Sequence, residues 1–323
     1  MRVISKKPSQ QQIEEMLNNS HETLYLEGIK NLSRKEISRY HSKILHRDFK
    51  DDNFIILKDR NGSFAGMAVF HNLEWDTKYL RQNIARIELI TTNKKATNRE
   101  GIYRMLLGEI FSTCRANKVR LVFLRNSINN RILNKFLTSI GTYPLSVLLN
   151  LYRSFDGMED KKGFKKKTYI EIRRPERKEH SRLEEIMLDG FKNRLLYEPL
   201  LNVTDVRNLY RQWIRNDLKG RVKEVLIALR GEQITGFVAF DQLNIDGKKY
   251  GFVDMIVVDR RFRKKGVGTI LVNEVAERLR KITKGIFLGT ELDNAEALNF
   301  YMCLGFCITD SYYSYHIKLD NKI

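Results

Sequence analysis

Cysteine, proline and acidic residues are scarce in this chain, and each shortage closes off something. The 3 cysteines, Cys114, Cys303 and Cys307, form no metal-like pair of pairs and suit a reducing compartment. The 6 histidines are scattered, and His41 and His46 stand five apart, off a common helix face, so no metal site is expected. Only 4 prolines in 323 residues argue against long disordered linkers. No apolar run approaches the ~20 residues that cross a bilayer. The opening MRVISKKPSQQQIEEML has no apolar signal core either. The expectation is a cytoplasmic protein with no membrane insertion. Acids number 39 against 58 basic residues, a net charge of +19. Partners should therefore be anionic: phosphate-bearing cofactors, nucleotide-sugars, nucleic acid or acidic membrane surfaces.

What is present is core material and punctuation. Hydrophobic residues make up 42% of the chain, enough for packed cores. At roughly 150 residues per domain, two domains are expected. The charge-dense stretch FDGMEDKKGFKKK, Phe155 to Lys167, lacks apolar periodicity and reads as a surface linker. An exposed hairpin within one domain is the alternative. The expected division is a first domain over 1–155, a linker over 156–167 and a second domain over 168–323.

The second half reads as mixed α/β. YIEIRRP is a strand, and EHSRLEEIMLDGF and VTDVRNLYRQWIRNDL are helices, with Thr204 a candidate cap for the latter. EVLIALRGEQITGFVAF is a hairpin about Arg230-Gly231-Glu232, and YGFVDMIVV is a buried strand. GTILVNEVAERLRKI is an amphipathic helix with Ile270, Leu271, Val275, Leu279 and Ile282 on one face. GIFLGT, NAEALNFYMCLG and FCITDSYYSYHIKL follow as a strand, a helix and two closing strands. The first half repeats this order from the hairpin FIILKDRNGSFAGMAVF onward, so one fold is used twice: an α/β fold with a mixed sheet flanked by helices.

The stretch DRRFRKKGVGT, Asp259 to Thr269, stands between a buried strand and a helix. A helix N-terminus carries unpaired N–H groups and about half a positive charge. Gly266 and Gly268 let a phosphate approach the backbone, and Arg263, Lys264 and Lys265 add charge. A solvated basic turn is the bland alternative. The spacing is neither a P-loop nor a dinucleotide fingerprint.

Arg263-x-x-Gly266-x-Gly268 after MIVVD, with NAEALNFYMCLGF following a helix and a strand later, resembles the GNAT superfamily of acyl-CoA-dependent N-acetyltransferases. The resemblance covers roughly residues 168–320. LYRQWIRNDLKG, Leu209 to Gly220, and NLEWDTKYL in the first half resemble more narrowly the group that acetylates amino-sugars on nucleotide carriers, the dTDP-fucosamine acetyltransferase group. In the first half TTNKKATNREGIYRMLLG stands in place of the phosphate loop and lacks R-x-x-G-x-G. The resemblance therefore implies a degenerate first domain without its own CoA.

It implies acetyl-CoA as co-substrate and no metal. The backbone of Ile256, Val257 and Val258 would grip the pantetheine arm. The loop of Arg263, Lys264, Lys265, Gly266, Val267, Gly268 and Thr269 would hold the pyrophosphate. Asn294 would touch the CoA arm, and Tyr301 would protonate the departing thiolate. Asp254, two residues before Ile256, shares its face by strand alternation and is the candidate to take the amine proton or to orient the acceptor. A structural salt bridge is its alternative role. Glu291 and Asp293 are further candidates for the base. Trp213 and Tyr197 are candidate pocket walls, each with an ordinary core role as the alternative. Residues Gly101 to Asn150 hold seven basic residues and one acid, Glu109, a face for an anionic acceptor or RNA.

The expected function is N-acetylation of a small amine, with an amino-sugar nucleotide as the specific form. The alternatives are acetylation of a protein N-terminus or lysine, and a non-catalytic CoA- or RNA-binding regulator.

Overall fold

A computed structural model describes residues 1–22, 24–157, 169–191 and 193–319 of the chain. Contacts divide it into two compact units, Met1–Leu149 with Thr309–Ile323, and Asn150–Ile308. The division falls between Leu149 and Asn150, and Thr309 onward, most of the last strand, is grouped with the first unit. The expected linker lies outside the described residues from position 158 onward.

The chain order is β1 (Arg2–Ile4), α1 (Gln10–Asn18), α2 (Arg34–Asp48), β2 (Phe54–Lys58), β3 (Phe64–Asn72), α3 (Glu74–Leu80), β4 (Ile84–Thr92), α4 (Arg99–Ala116), β5 (Leu121–Ser127), α5 (Arg131–Ser139) and β6 (Pro144–Ser154). It continues with β7 (Ile170–Arg173), α6 (His180–Gly190), α7 (Val203–Asn216), β8 (Glu224–Arg230), β9 (Gln233–Ile245), β10 (Lys248–Val258), α8 (Val267–Leu279), β11 (Gly285–Glu291), α9 (Ala295–Cys303) and β12 (Cys307–Lys318).

Helices α1 and α2 escaped the reading of the sequence, yet both begin at legible signals. Ser9 and Ser33 each accept from the backbone three residues on, while Gln12 and Glu36 bond back to the cap. These are reciprocal capping boxes, each satisfying donors that a helix start leaves orphaned. The first unit orders its strands β1-β2-β3-β4-β5-β12, with only β4 and β5 parallel among its described register pairs. Its core includes Ile55, Leu57, Phe70, Leu106, Val122 and Leu133, closed by Tyr315 and Ile317 of β12. Two closing strands were expected over 306–319; one continuous strand forms, pairing with β5 from Tyr312–Ser127 to Lys318–Leu121.

The second unit runs β7-β8-β9-β10-β11, antiparallel up to the parallel pair β10/β11. Gly231 turns the β8–β9 hairpin at φ +60°, a conformation glycine reaches without steric cost. In α8 the buried face is Val267, Leu271, Val272, Val275, Ala276 and Leu279. Ile282 lies beyond the helix end and is exposed, so the expected stripe was one turn too long. Each fully buried side chain of this size contributes about 1.5–3 kcal/mol. The cap of α7 is Asn202, whose side chain accepts from the Thr204 N–H at 2.8 Å, not Thr204 itself.

Candidate active site

Strand β10 is the hinge of the site. It pairs with β11 only from Gly251–Ile286 to Val253–Leu288, and there the pairing ends. On its other edge the ladder with β9 runs on to Val258–Gly236. Beyond Val253 the strand therefore has one edge bonded and one edge open. The Asp259 N–H donates to Thr235 O at 3.0 Å, toward β9. Antiparallel alternation then turns Met255 and Val257 toward β9 as well, and leaves the N–H groups of Ile256 and Val258 facing the opening. Of the three strand residues expected to grip a cofactor arm, Val257 is thus spent on the ladder.

The divergence starts at a β-bulge. Val253 faces Phe240 and Met255 faces Ala239, so Asp254 is an extra residue. The extra residue shifts the alternation. Ile256 and Val258 lie opposite Val238 and Gly236, on the same face as Val253 opposite Phe240. The expectation that Asp254 shares their face by simple alternation is therefore corrected. Its carboxylate is bound by Arg221, which also holds Asp217 through Nε at 2.7 Å. Arg221 reaches both acids because the turn Asp217–Arg221 after α7 is a π-turn that unwinds at Gly220, φ +98°. Burial of Asp217 raises its pKa to about 7; Asp254 adds to the rise and Arg221 opposes it.

The basic loop is built around a carboxylate. Asp259 is buried and caps the Arg261 N–H at 3.0 Å, while the Arg261 guanidinium lies across it at 2.8 and 3.2 Å. Arg182 of α6 completes the cluster. The Arg261 hydrogen bond is the largest contribution holding the Asp259 pKa down, to about 2. Arg261 is thus the anchor of the loop. Arg263, expected to face a phosphate, instead folds back: its Nε donates to Val258 O at 3.3 Å and its Nη2 to Gly190 O at 3.2 Å. Lys265 donates to Arg261 O at 2.9 Å, and Lys264 lies exposed, 3.5 Å from Glu296.

Gly266 and Gly268 shape the start of α8. Gly266 is the N-cap of α8 at φ +81°, with no side chain to cap the helix. The N–H groups of Val267, Gly268 and Thr269 therefore have no partner within the helix, though the Val267 side chain is core. A Cβ on Gly268 would meet Phe300 Cζ at 3.1 Å, so the Phe300 ring of α9 would have to give way by a few tenths of an ångström.

Helix α9 brings the second motif. Asn294 is exposed and caps the helix, accepting from the Ala297 N–H at 3.3 Å. Tyr301 is 7% exposed, between Phe300 and Phe306 at ring distances of 5.1 and 5.8 Å. Burial alone pushes its pKa up, so the phenol keeps its proton at neutral pH. At the end of β11, Glu291 lies 3.4 Å from Arg194 through Oε1, while its buried Oε2 has no hydrogen-bond partner among the described residues. Asp293 is exposed. Trp213 packs with Phe191 and Tyr210 as an aromatic cluster, and Tyr197 is 55% exposed, not core. Among the described residues no group of three or more metal-ligating side chains is found, and no helix is long and apolar enough to cross a membrane.

Residues 191–306, which hold the open strand edge, the glycine-capped helix and Tyr301, match the sequence model described as "Acetyltransferase (GNAT) family". The spore coat polysaccharide biosynthesis protein SpsD of Bacillus subtilis (strain 168) is 22% identical over 260 residues, 80% of this chain and 85% of that protein. N-alpha-acetyltransferase 30 of Xenopus laevis is 30% identical over 95 residues, 28% of this chain and 34% of that protein. Among solved structures, the GCN5-related N-acetyltransferase from Sphaerobacter thermophilus shares the fold at a TM-score of 0.61 and 15% identity, over 88% of this chain and 87% of that one. A tandem GNAT protein from the clavulanic acid biosynthesis pathway does so at 0.57 and 14%, over 84% and 83%.

Proposed function

We propose that this chain, whose residues 191–306 match the GNAT acetyltransferase family model, is an N-acetyltransferase that moves an acetyl group from acetyl-CoA to a primary amine of a small molecule, an amino sugar carried on a nucleotide. The observation that carries the reading is the parting of β10 from β11 beyond Val253, with a side-chain-free helix cap at Gly266 next to the strand's end. Such an opening suits an extended pantetheine arm, and the first turn of α8 suits a pyrophosphate. Acetyl-CoA supplies the acyl group as a thioester.

The roles of the chain's own groups follow from their settings. One of the two open N–H groups, of Ile256 or of Val258, meets the oxygen that gains charge during transfer, and the other, two residues along the strand, is left for the pantetheine arm. Tyr301 keeps its proton at neutral pH and hydrogen-bonds the departing sulfur, the proton passing to it as the carbon–sulfur bond breaks. Arg263 and Lys265 shape the loop, and the phosphate is left to the α8 backbone and the exposed Lys264. Asp254, already neutralised by Arg221, orients the acceptor. Glu291 is the better-placed proton acceptor, since one of its oxygens is buried without a partner.

Two observations support the amino-sugar form. The stretch Leu209 to Gly220 lies in α7 and the π-turn that delivers Asp217 and Arg221 to Asp254. The likeness to a polysaccharide biosynthesis protein extends over 80% of this chain. A second reading, acetylation of peptide N-termini, is favoured by the shorter likeness to an N-alpha-acetyltransferase.

A thiol-release assay over amino-sugar nucleotides, free amino sugars and N-terminal peptides separates the two. The proposal expects the fastest turnover on an amino-sugar nucleotide; turnover on peptides alone would select the second reading. Acetyl-CoA should raise the melting temperature, as a ligand of the native state does. No shift at millimolar acetyl-CoA would remove both.

A further inference from the structure

The first unit contains the same open strand, and something already lies in it. Gly66 faces Thr92 across β3 and β4 as Gly236 faces Val258 across β9 and β10. The Asn93 N–H donates to Ala65 O at 2.8 Å, as the Asp259 N–H does to Thr235 O. Glu88 is skipped in the register between Ile87–Phe70 and Leu89–Val69, so it is the extra residue here, as Asp254 is in β10. The parallel pairing of β4 with β5 ends at Ile87–Leu124, just before that residue. Asn130 caps α5, accepting from the Leu133 N–H at 3.3 Å, as Asn294 caps α9. By this correspondence Thr92 stands where Val258 stands, and its N–H turns away from β3 into the opening.

In the first unit that N–H is taken. It donates to Glu22 Oε2 at 2.8 Å, and Thr92 O accepts from the His21 N–H at 3.0 Å. Ser20 bridges to Asn93, and the Lys94 N–H donates to Asn19 O at 2.8 Å. The Glu22 carboxylate also accepts from Thr92 Oγ1 at 2.8 Å, from Arg99 Nη2 at 3.0 Å, and from the hydroxyls of Thr91 and Tyr103. It is 6% exposed. Burial alone would raise its pKa, but these hydrogen bonds outweigh it and hold the carboxyl below its ordinary range.

We infer that residues Asn19 to Glu22 are an internal occupant of the first unit's acyl-CoA cleft, with the Glu22 carboxylate bound at the amide that the second unit leaves open. The inference rests on the acetyl-CoA reading of the second unit. Three departures agree with it. Helix α4 is capped by Asn98, whose side chain takes the Gly101 N–H at 3.0 Å, whereas the Gly266 cap of α8 leaves its first turn open. Leu137 stands seven residues after its cap, where Tyr301 stands after Asn294, so the phenol is missing. The occupant is stapled by an ion pair between Glu22 and Arg99, whose side chains are 6% and 12% exposed. A buried carboxylate with this many donors leaves the site only at the cost of stranding all of them.

The test uses the full chain with acetyl-CoA as probe. Calorimetric titration should give one equivalent per chain, and Gly268→Val in the second unit should leave none. A second equivalent, or binding that survives Gly268→Val, overturns the inference. Amide hydrogen exchange reads the cleft directly. Thr92 should exchange slowly without ligand and not respond to acetyl-CoA, while Val258 should become protected only when acetyl-CoA is added. Glu22→Ala should speed Thr92 exchange. Fast exchange at Thr92 in the ligand-free wild-type chain overturns the inference, even if Glu22→Ala fails to fold. If Val258 never responds to acetyl-CoA, the reading of the second unit fails, and slow exchange at Thr92 still decides for the occupant.

Discussion

Tyr301 and Asp217 are two residues near the site whose protons burial holds more firmly than usual. Tyr301→Phe removes the hydroxyl and keeps the ring that packs on Phe300 and Phe306. Turnover should fall by about 10²-fold or more, in the range of lost general-acid catalysis, with acetyl-CoA affinity nearly unchanged. Equal turnover would end its role as the acid. Asp217 works through pH. Its pKa is raised to about 7 in the fold, chiefly by burial. Between its ordinary value near ~4 and about 7, the native state holds a proton that the unfolded chain has released. Stability therefore declines as the pH rises through that window, and the penalty is complete above it. Melting curves from pH 5 to 8 should show this slope in the wild type and a flatter line in Asp217→Asn. Tyr301 was legible because its motif is local. The pairing of Asp217 and Asp254 through Arg221 was not, because the three lie 4 and 33 positions apart along the chain.

Single elements carry the cofactor side. Gly266→Ala places a Cβ at φ +81° and should cost about 1 kcal/mol by urea unfolding, since only glycine occupies that region without strain. If the proposed reading holds, its effect on acetyl-CoA affinity, read by calorimetric titration, should be larger than its effect on stability, because the Gly266 cap opens the first turn of α8 to the pyrophosphate. The strand, the loop and the helix of this element were all readable, since hydrophobic period and glycine spacing are local signals. The bulge at Asp254 was not. A one-residue insertion in the ladder leaves no mark in the alternation of FVDMIVV, yet it decides which side chains and which amides face the opening. The direction of Arg263 was equally hidden: its carbonyl partners, Val258 and Gly190, come from a strand end and a helix end 68 residues apart along the chain.

At the scale of the whole molecule, the order of elements is repeated but the last strand is not where repetition puts it. β12 adds to β5, and its Tyr315 and Ile317 are part of the first unit's core. A chain ending at Ile308 should therefore lose the first unit's cooperative unfolding, seen as early proteolysis of residues 1–149. The sequence by itself determined the class of fold, the doubled order of strands and helices, the glycine-capped basic loop and the phenol after it. Each of these depends on residues within one or two elements, where periodicity and spacing act directly. Only the tertiary structure decided that β12 belongs to the first unit, that the basic loop turns inward on Asp259, and that Glu22 meets Thr92. These pairings join residues far apart in the chain or turn on the direction of one side chain, and buried charges find their partners through packing rather than through sequence distance.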